Sequence, residues 1–323
     1  MRVAIVGYGN LGRSVEAALC AAPDMDAVGI FTRRDPASVQ SAMGLPVYHM
    51  DALEGMAREI DVVINCGGSA TDLPTSTPAL AEKFHVIDSF DTHAKISLHR
   101  ARVDESARKG GKVAVISVGW DPGMFSLTRL YAGSILPDSK AYTFWGTGVS
   151  QGHSDAIRRI EGVADARQYT VPIEAAMQRV KDGEHPDFKA ADMHERVCYV
   201  ALKDGADAEE IRRKIVTMPD YFAPYKTTVH FVSLEQLHRE HGGLPHGGKV
   251  IVSGKAATGS AHTIEYGLNL ESNPDFTGSV LVAFARAAFR LGQKGETGCK
   301  TAFDIPPIYL SPENPEELFA HLL

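Results

Sequence analysis

A chain of 323 residues is too long for one typical domain and fits two. Its 44% hydrophobic and 23% charged residues are those of an ordinary globular protein, and a formal net charge of −7 argues against general nucleic-acid or anionic-membrane binding. No apolar run approaches a membrane span, the chain opens on a strand rather than a signal peptide, and Cys20, Cys66, Cys198 and Cys299 form no disulfide framework, which together predict a cytoplasmic protein.

The first predicted element is a buried strand, Arg2–Val6. Gly7-Tyr8-Gly9-Asn10-Leu11-Gly12 follows with G-x-G-x-x-G spacing, then a helical stretch with Leu11, Val15, Ala18 and Leu19 on one face. A second strand over 27–31 completes a strand–turn–helix–strand unit, and that context separates the motif from a generic glycine-rich turn. Gly7 permits the tight turn, Gly9 the approach of a pyrophosphate, and Gly12 close packing of helix on strand. The free N–H groups of the helix start then face the phosphates. An NAD-preferring unit places an acid after the second strand; here Phe31-Thr32-Arg33-Arg34 offers two guanidiniums and a hydroxyl, which suit a 2′-phosphate. The cofactor read from these residues is NADP. Asp35, followed by Pro36, starts a turn instead.

Next come a short helix over 51–58 and a strand over 61–65 that ends in Cys66-Gly67-Gly68-Ser69, where small residues let a ligand approach; Cys66 reads as a core thiol. A helix over 78–83, a strand over 85–88 ending in Ser89-Phe90-Asp91, and a helix over 94–109 stopped by Gly110-Gly111 follow. A strand over 112–117 then leads into Gly119-Trp120-Asp121-Pro122. This alternation predicts an α/β fold, with a Rossmann-type doubly wound parallel sheet in an N-terminal domain of residues 1–120. Residues 121–273 change rhythm. Strands over 141–145, 166–171, 195–202, 227–234, 249–254 and 262–270, with helices between, predict a second, α+β domain for substrate binding and dimerisation. The helical stretch 276–291 returns the chain, so that about 274–323 packs on the first domain.

Chemistry is confined to a few positions. Thirteen histidines include no H-E-x-x-H, so no metal is expected, and no G-x-S-x-G hydrolase motif occurs. Asp91 and Asp121 end successive strands at the expected nicotinamide edge; each is a helix cap or a ligand contact, and the pair favours contact. Trp145 precedes the glycine-rich stretch 146–153, either a plain loop or a ligand approach. Arg196 lies on a strand face shared with Cys198, Val200 and Leu202, and needs an anionic partner, internal carboxylate or substrate. His246, taken alone, is an exposed loop histidine.

The stretches VAIVGYGNLGRSVE, VGWDPGMFS, TFWGTGVSQGHSDAIRRI, TMPDYF, LPHGG and NPDF resemble the meso-diaminopimelate D-dehydrogenases across essentially the whole chain. The resemblance implies NADP against Tyr8 to Leu11, Thr32 to Arg34, Cys66, Gly67, Gly68 and Ser69, Ser89, Phe90 and Asp91, and Val118, Gly119, Trp120, Asp121 and Pro122. It implies meso-diaminopimelate against Asp91, Asp121, Trp145, Gln151, Gly152, Thr170, Arg196, His246 and Asn273, in a homodimer. Asp91 and Asp121 would hold the reacting ammonium, with Asp121 accepting its proton, and Arg196 with Thr170, His246 and Asn273 would grip the far, L-configured end. The sequence departs from the family at Phe90-Asp91-Thr92, where Tyr-Asp-Asn is common. Two other readings are a reductase of similar architecture, such as a dihydrodipicolinate reductase-like enzyme, and a non-catalytic NADP(H) sensor.

Overall fold

The computed structural model describes residues 1–219 and 221–323; Asp220, within TMPDYF, lies outside the described residues. In chain order the strands are β1 (Arg2–Val6), β2 (Asp26–Thr32), β3 (Val47–His49), β4 (Val62–Asn65), β5 (His85–Asp88), β6 (Val113–Val115) and β7 (Asp138–Trp145). They continue with β8 (Gly148–Val149), β9 (Val163–Pro172), β10 (His194–Leu202), β11 (Thr227–Phe231), β12 (His246–Lys255), β13 (Ala261–Leu270) and β14 (Gly298–Lys300).

The chain divides into two units, Met1–Leu127 with Pro274–Leu323, and Thr128–Asn273. In the first, seven parallel strands run in the order β14-β6-β5-β4-β1-β2-β3, wound outward in both directions from the β1–β4 centre. Helices cover both faces, so the central strands are apolar throughout rather than alternating. Ile5, Ile64 and Ile87 face one layer, with Val15 and Leu19 of helix Asn10–Ala21 and Leu281, Phe284 and Ala288 of helix Asn273–Gln293. Ala4, Val63 and Val86 face the other, with Leu80 of helix Leu73–Ala81 and Val103 and Ala107 of helix Ile96–Gly110. The second unit holds a four-stranded sheet, β11-β10-β9-β8, and an antiparallel three-stranded sheet, β13-β12-β7. Among the described residues no helix is long and apolar enough to cross a membrane.

Two elements differ from the sequence reading. The helix expected over 78–83 is Leu73–Ala81: Pro74 sits in its first turn, where no N–H is needed, and Pro78 lies inside at the cost of one helical hydrogen bond. The strand expected over 227–234 stops at Phe231, because the Ser233 hydroxyl accepts from Gln236 N at 3.0 Å and caps helix Leu234–His241.

The returning C-terminal segment is fixed by a buried guanidinium. Arg286 donates to both oxygens of Asp24 at 2.6 and 2.7 Å and to the Leu310 carbonyl at 2.6 Å. Its hydrogen bond holds the Asp24 carboxyl below the usual carboxylate range. Removing one partner of such a pair strands the other, and Arg286→Ala is expected to cost about 3 kcal/mol at pH 7. Because the folded pKa of Asp24 is depressed, its contribution is present above the unfolded value and is lost as pH falls through the folded one. The gap between wild type and variant in urea unfolding should therefore narrow below about pH 4; a gap under about 1 kcal/mol at pH 7 would contradict the assignment.

Candidate active site

Gly7, at φ +88°, turns the chain sharply at the end of β1. A Cβ on Gly12 would stand 2.3 Å from the Gly7 carbonyl oxygen, whereas one on Gly9 would meet nothing within 4 Å. The first glycine therefore bends, the third packs, and the middle one faces open space where a phosphate can approach. Helix Asn10–Ala21 has no side-chain cap, so the N–H groups of Asn10, Leu11 and Gly12 await an acceptor. The turn opens on a cleft of about 370 Å³, whose lining includes Gly7, Tyr8, Gly9, Thr32, Arg33, Arg34, Cys66, Gly67, Gly68 and Asp72. Arg34 donates to the Tyr8 carbonyl at 2.6 Å, and Arg33, largely exposed, pairs with Asp72 at 2.7 Å. The Gly68 N–H and then Arg33 hold the Asp72 carboxyl below its usual range. Asp35 is occupied in a turn, accepting from Ala37 N at 3.0 Å. Burial pushes the Cys66 thiol well up, which suits packing rather than nucleophilic chemistry.

The carboxyl ends of β4, β5 and β6 carry the next set. Ser69 Oγ accepts from Asp91 N at 2.9 Å, joining the β4 and β5 turns. Asp91 caps no helix: Thr92 precedes the short turn His93–Lys95, and Lys95 precedes Ile96–Gly110. Ser89 is half-buried, and Phe90 is buried with its ring stacked on His99 at 4.2 Å. Val118 is buried, and Gly119 bridges Gly123, whose φ of +127° closes a tight turn around Trp120, Asp121 and Pro122. Asp91 and Asp121 thus leave neighbouring strands at the same sheet edge.

In the second unit the candidates gather at one end of the four-stranded sheet. Arg196 of β10 lies opposite Thr170 of β9 and hydrogen-bonds its hydroxyl; Gly148 of β8 flanks Thr170 on the other side. Only a glycine fits at 148, since a Cβ there would stand 2.5 Å from the His246 ring. Asn273 N donates to the Leu244 carbonyl at 3.0 Å, and Val149 N to that of Pro245 at 2.9 Å, holding the LPHGG turn. Gln151 and Gly152 are exposed at the start of helix Gln151–Arg158, beside Ser150, whose N–H reaches the Gln168 carbonyl. Trp145 stacks on His194 at 5.4 Å, and its N–H donates to His194 Nε2 at 2.9 Å.

Arg196 is 7% exposed. Its guanidinium lies 4.0 Å over the Tyr225 ring, and among the described residues its Nε has no hydrogen-bond partner and the group meets no carboxylate. Of the two partners open to it, an internal carboxylate is not found among the described residues. Leu202 leaves the alternation of Arg196, Cys198 and Val200 through a register shift after Ala201. His246 is half-buried at the start of β12 rather than an exposed loop residue, and burial lowers its pKa. Burial, with Arg196 nearby, pushes His153 down to about 4, and burial first brings His194 to about 4. The two imidazoles that feel the Arg196 charge, His153 and His194, are thus neutral at neutral pH. Among the described residues no three His, Cys, Asp or Glu side chains could hold a metal.

The family model for the diaminopimelic acid dehydrogenase C-terminal domain matches residues 119–272. The meso-diaminopimelate D-dehydrogenase of Ureibacillus thermosphaericus is 56% identical over 323 residues, spanning 100% of this chain and 99% of that protein. This chain belongs to the meso-diaminopimelate D-dehydrogenases. A six-position mutant of the Clostridium tetani dehydrogenase, solved with DAP, is 50% identical with a TM-score of 0.93, covering 100% of this chain and 99% of that one. An engineered D-amino acid dehydrogenase bound to NADP+ is 45% identical with a TM-score of 0.86, again covering 100% and 99%.

The cleft of this dehydrogenase fits NADP on its own geometry, with an open Gly9, an uncapped helix start and two guanidiniums beyond β2. Sequence reasoning missed Glu16 and Asp72 around that cleft and Tyr225 beneath Arg196, because no local pattern pairs residues so far apart. Glu16 is fully buried and accepts from Tyr8 and Ser41 hydroxyls and from the N–H groups of Ala42 and Met43, tying loop 41–43 to the glycine turn. A charge-assisted contact contributes about 1.5–3 kcal/mol, so Arg33→Ala/Arg34→Ala should cut the NADP/NAD preference roughly ten- to a hundredfold. NAD turnover should persist. An unchanged NADP/NAD ratio of kcat/KM would overturn the role of this arginine pair.

Proposed function

We infer that this enzyme is an NADP-dependent meso-diaminopimelate D-dehydrogenase of lysine biosynthesis, converting the D-centre of meso-2,6-diaminopimelate to L-2-amino-6-oxopimelate with release of ammonia, reversibly. Arg196 is the observation that carries the substrate reading: a buried cation without a carboxylate partner among the described residues suits a ligand carboxylate. The six substituted positions of the C. tetani variant match, in residue type, order and spacing, Gln151, Thr170, Arg196, Pro245, His246 and Asn273.

Each end of meso-diaminopimelate carries an ammonium and a carboxylate, so its site needs both signs of charge. Asp91 and Asp121 hold the reacting ammonium; Arg196, Thr170, His246 and Asn273 take the far end, and Trp145, Gln151 and Gly152 are further substrate contacts. The ammonium must lose a proton before hydride can leave, and Asp121 is the acceptor. NADP+, when bound, accepts hydride from the D-configured α-carbon. Water then adds to the resulting imine, and ammonia departs to leave the ketone. His153 and His194, neutral at working pH, leave Arg196 as the cation that recognises the far carboxylate throughout that range.

The enzyme is a cytoplasmic homodimer built mainly on its second unit. β13 is an outer strand of its sheet, with Ile264, Tyr266 and Leu268 only half-covered. Light scattering at assay concentration should give twice the chain mass, and a monomeric mass refutes the assembly.

NADPH formation from D- and L-amino acids, including the three diaminopimelate isomers, tests the activity: meso should lead, and the LL isomer should be inert. Equal oxidation of LL and meso overturns the D-centre assignment, and NADP binding without any turnover favours the sensor reading. Arg196→Ala should lower kcat/KM for meso-diaminopimelate by about 2–5 kcal/mol in transition-state terms, the cost of stranding a desolvated charge. D-alanine, which has no far end, should lose much less. Equal losses would show that Arg196 is not the far-end anchor.

A further inference from the structure

A fully buried carboxylate lies beneath the turns that carry both proposed substrate-binding acids. Asp88 closes β5 at 0% exposure. Its Oδ1 accepts from Phe90 N at 3.1 Å and from Ser117 N at 3.0 Å, and its backbone carbonyl accepts from Val118 N at 3.2 Å. Its Oδ2 accepts from Thr77 Oγ1 at 2.8 Å and from His99 Nε2 at 2.7 Å. Thr77 also receives Asn65 Nδ2 at 3.1 Å, and Asn65 Oδ1 accepts from Gly67 N at 3.3 Å. The chain of contacts therefore runs beneath the carboxyl ends of β4, β5 and β6 in turn.

Burying a carboxylate is costly unless its lone pairs are matched, and four donors match these. An apolar residue at the end of β5 would fill the core without that demand. What the carboxylate adds is the path of two turns. Ser117 takes φ +55°, a left-handed conformation that a residue with a side chain rarely adopts, and its N–H points at Asp88. Phe90, held by the same oxygen, precedes Asp91 directly; Val118, held by the carbonyl, lies three residues before Asp121. His99 closes the cage by stacking on the Phe90 ring while donating to Oδ2, and its Nδ1 has no partner.

We propose that Asp88 is a positioning residue that fixes Asp91 and Asp121 relative to the reacting carbon. This rests on the dehydrogenase reading above. It touches neither substrate nor cofactor; it acts through the Phe90 and Ser117 amides. A displacement of about 1 Å in a reacting geometry can cost a hundredfold in rate, whereas the arginine end of the cofactor cleft is held by other contacts.

The test compares wild type, Asp88→Asn and Thr77→Val by kcat, KM, NADPH dissociation constant and the primary deuterium isotope effect with meso-diaminopimelate deuterated at the D-centre. Asp88→Asn keeps one acceptor but turns an NH2 toward Thr77 and His99. It should lower kcat about tenfold or more, leave the NADPH dissociation constant within about threefold, and raise the isotope effect as hydride transfer becomes limiting. Thr77→Val, which preserves shape and removes one donor, should show the same signature at about two- to fivefold in kcat, and it decides the matter if Asp88→Asn does not fold. A purely structural role would move the melting temperature and leave the isotope effect unchanged. Unchanged kcat and isotope effect in folded variants overturn the proposal, as does a parallel loss of NADPH binding. A wild-type enzyme that oxidises no amino acid overturns the dehydrogenase reading instead.

Discussion

Helix Asn10–Ala21 can start where it does only because residue 12 has no side chain; a Cβ there would lie inside contact distance of the Gly7 carbonyl oxygen. That close approach puts the helix start against the end of β1, and the cofactor cleft follows from it. The same helix is pressed from its other side, where a Cβ on Gly278 would stand 2.8 Å from the Ser14 carbonyl carbon and Ser14 Oγ donates to Asp275 at 2.6 Å. Two glycines far apart in sequence thus clamp one helix between the sheet and the returning C-terminal segment. Tyr8, in the turn they hold, then meets Glu16 through its hydroxyl and Arg34 through its carbonyl.

Features set by near neighbours in sequence were legible. The glycine motif, the arginine pair after β2, the small residues after β4 and the end of helix Ile96–Gly110 at Gly111, φ +65°, all express local backbone or charge requirements. Contacts between distant residues were not. No local pattern singles out Glu16, yet loop 41–43 closes over it. Arg196 announced the need for a partner but not that Tyr225 would lie beneath it, and Asp88 reads as the unremarked end of a strand. Pro78 misled because proline usually opens a helix, and here Pro74 does so one turn earlier. The far-end residues that pattern alone left open were expected only from the family resemblance.

A substrate whose two ends are chemically identical sets a particular demand on the proposed site. Either end of meso-diaminopimelate satisfies an acidic or a basic partner equally, so affinity for one amino-acid group cannot choose. Selection requires contacts at both ends at once, leaving only one Cα–H aimed for transfer. The carboxylates Asp91 and Asp121 belong to the unit with the cofactor cleft, and the guanidinium of Arg196 to the other.

The central claim is that hydride leaves the D-configured centre and no other. It is tested most directly by supplying meso-diaminopimelate deuterated at the D-centre alone, or at the L-centre alone, and analysing the reduced cofactor by mass spectrometry. Deuterium should enter the nicotinamide only from the D-labelled substrate. Unlabelled NADPH from that substrate, or label arriving from the L-centre, would contradict the account.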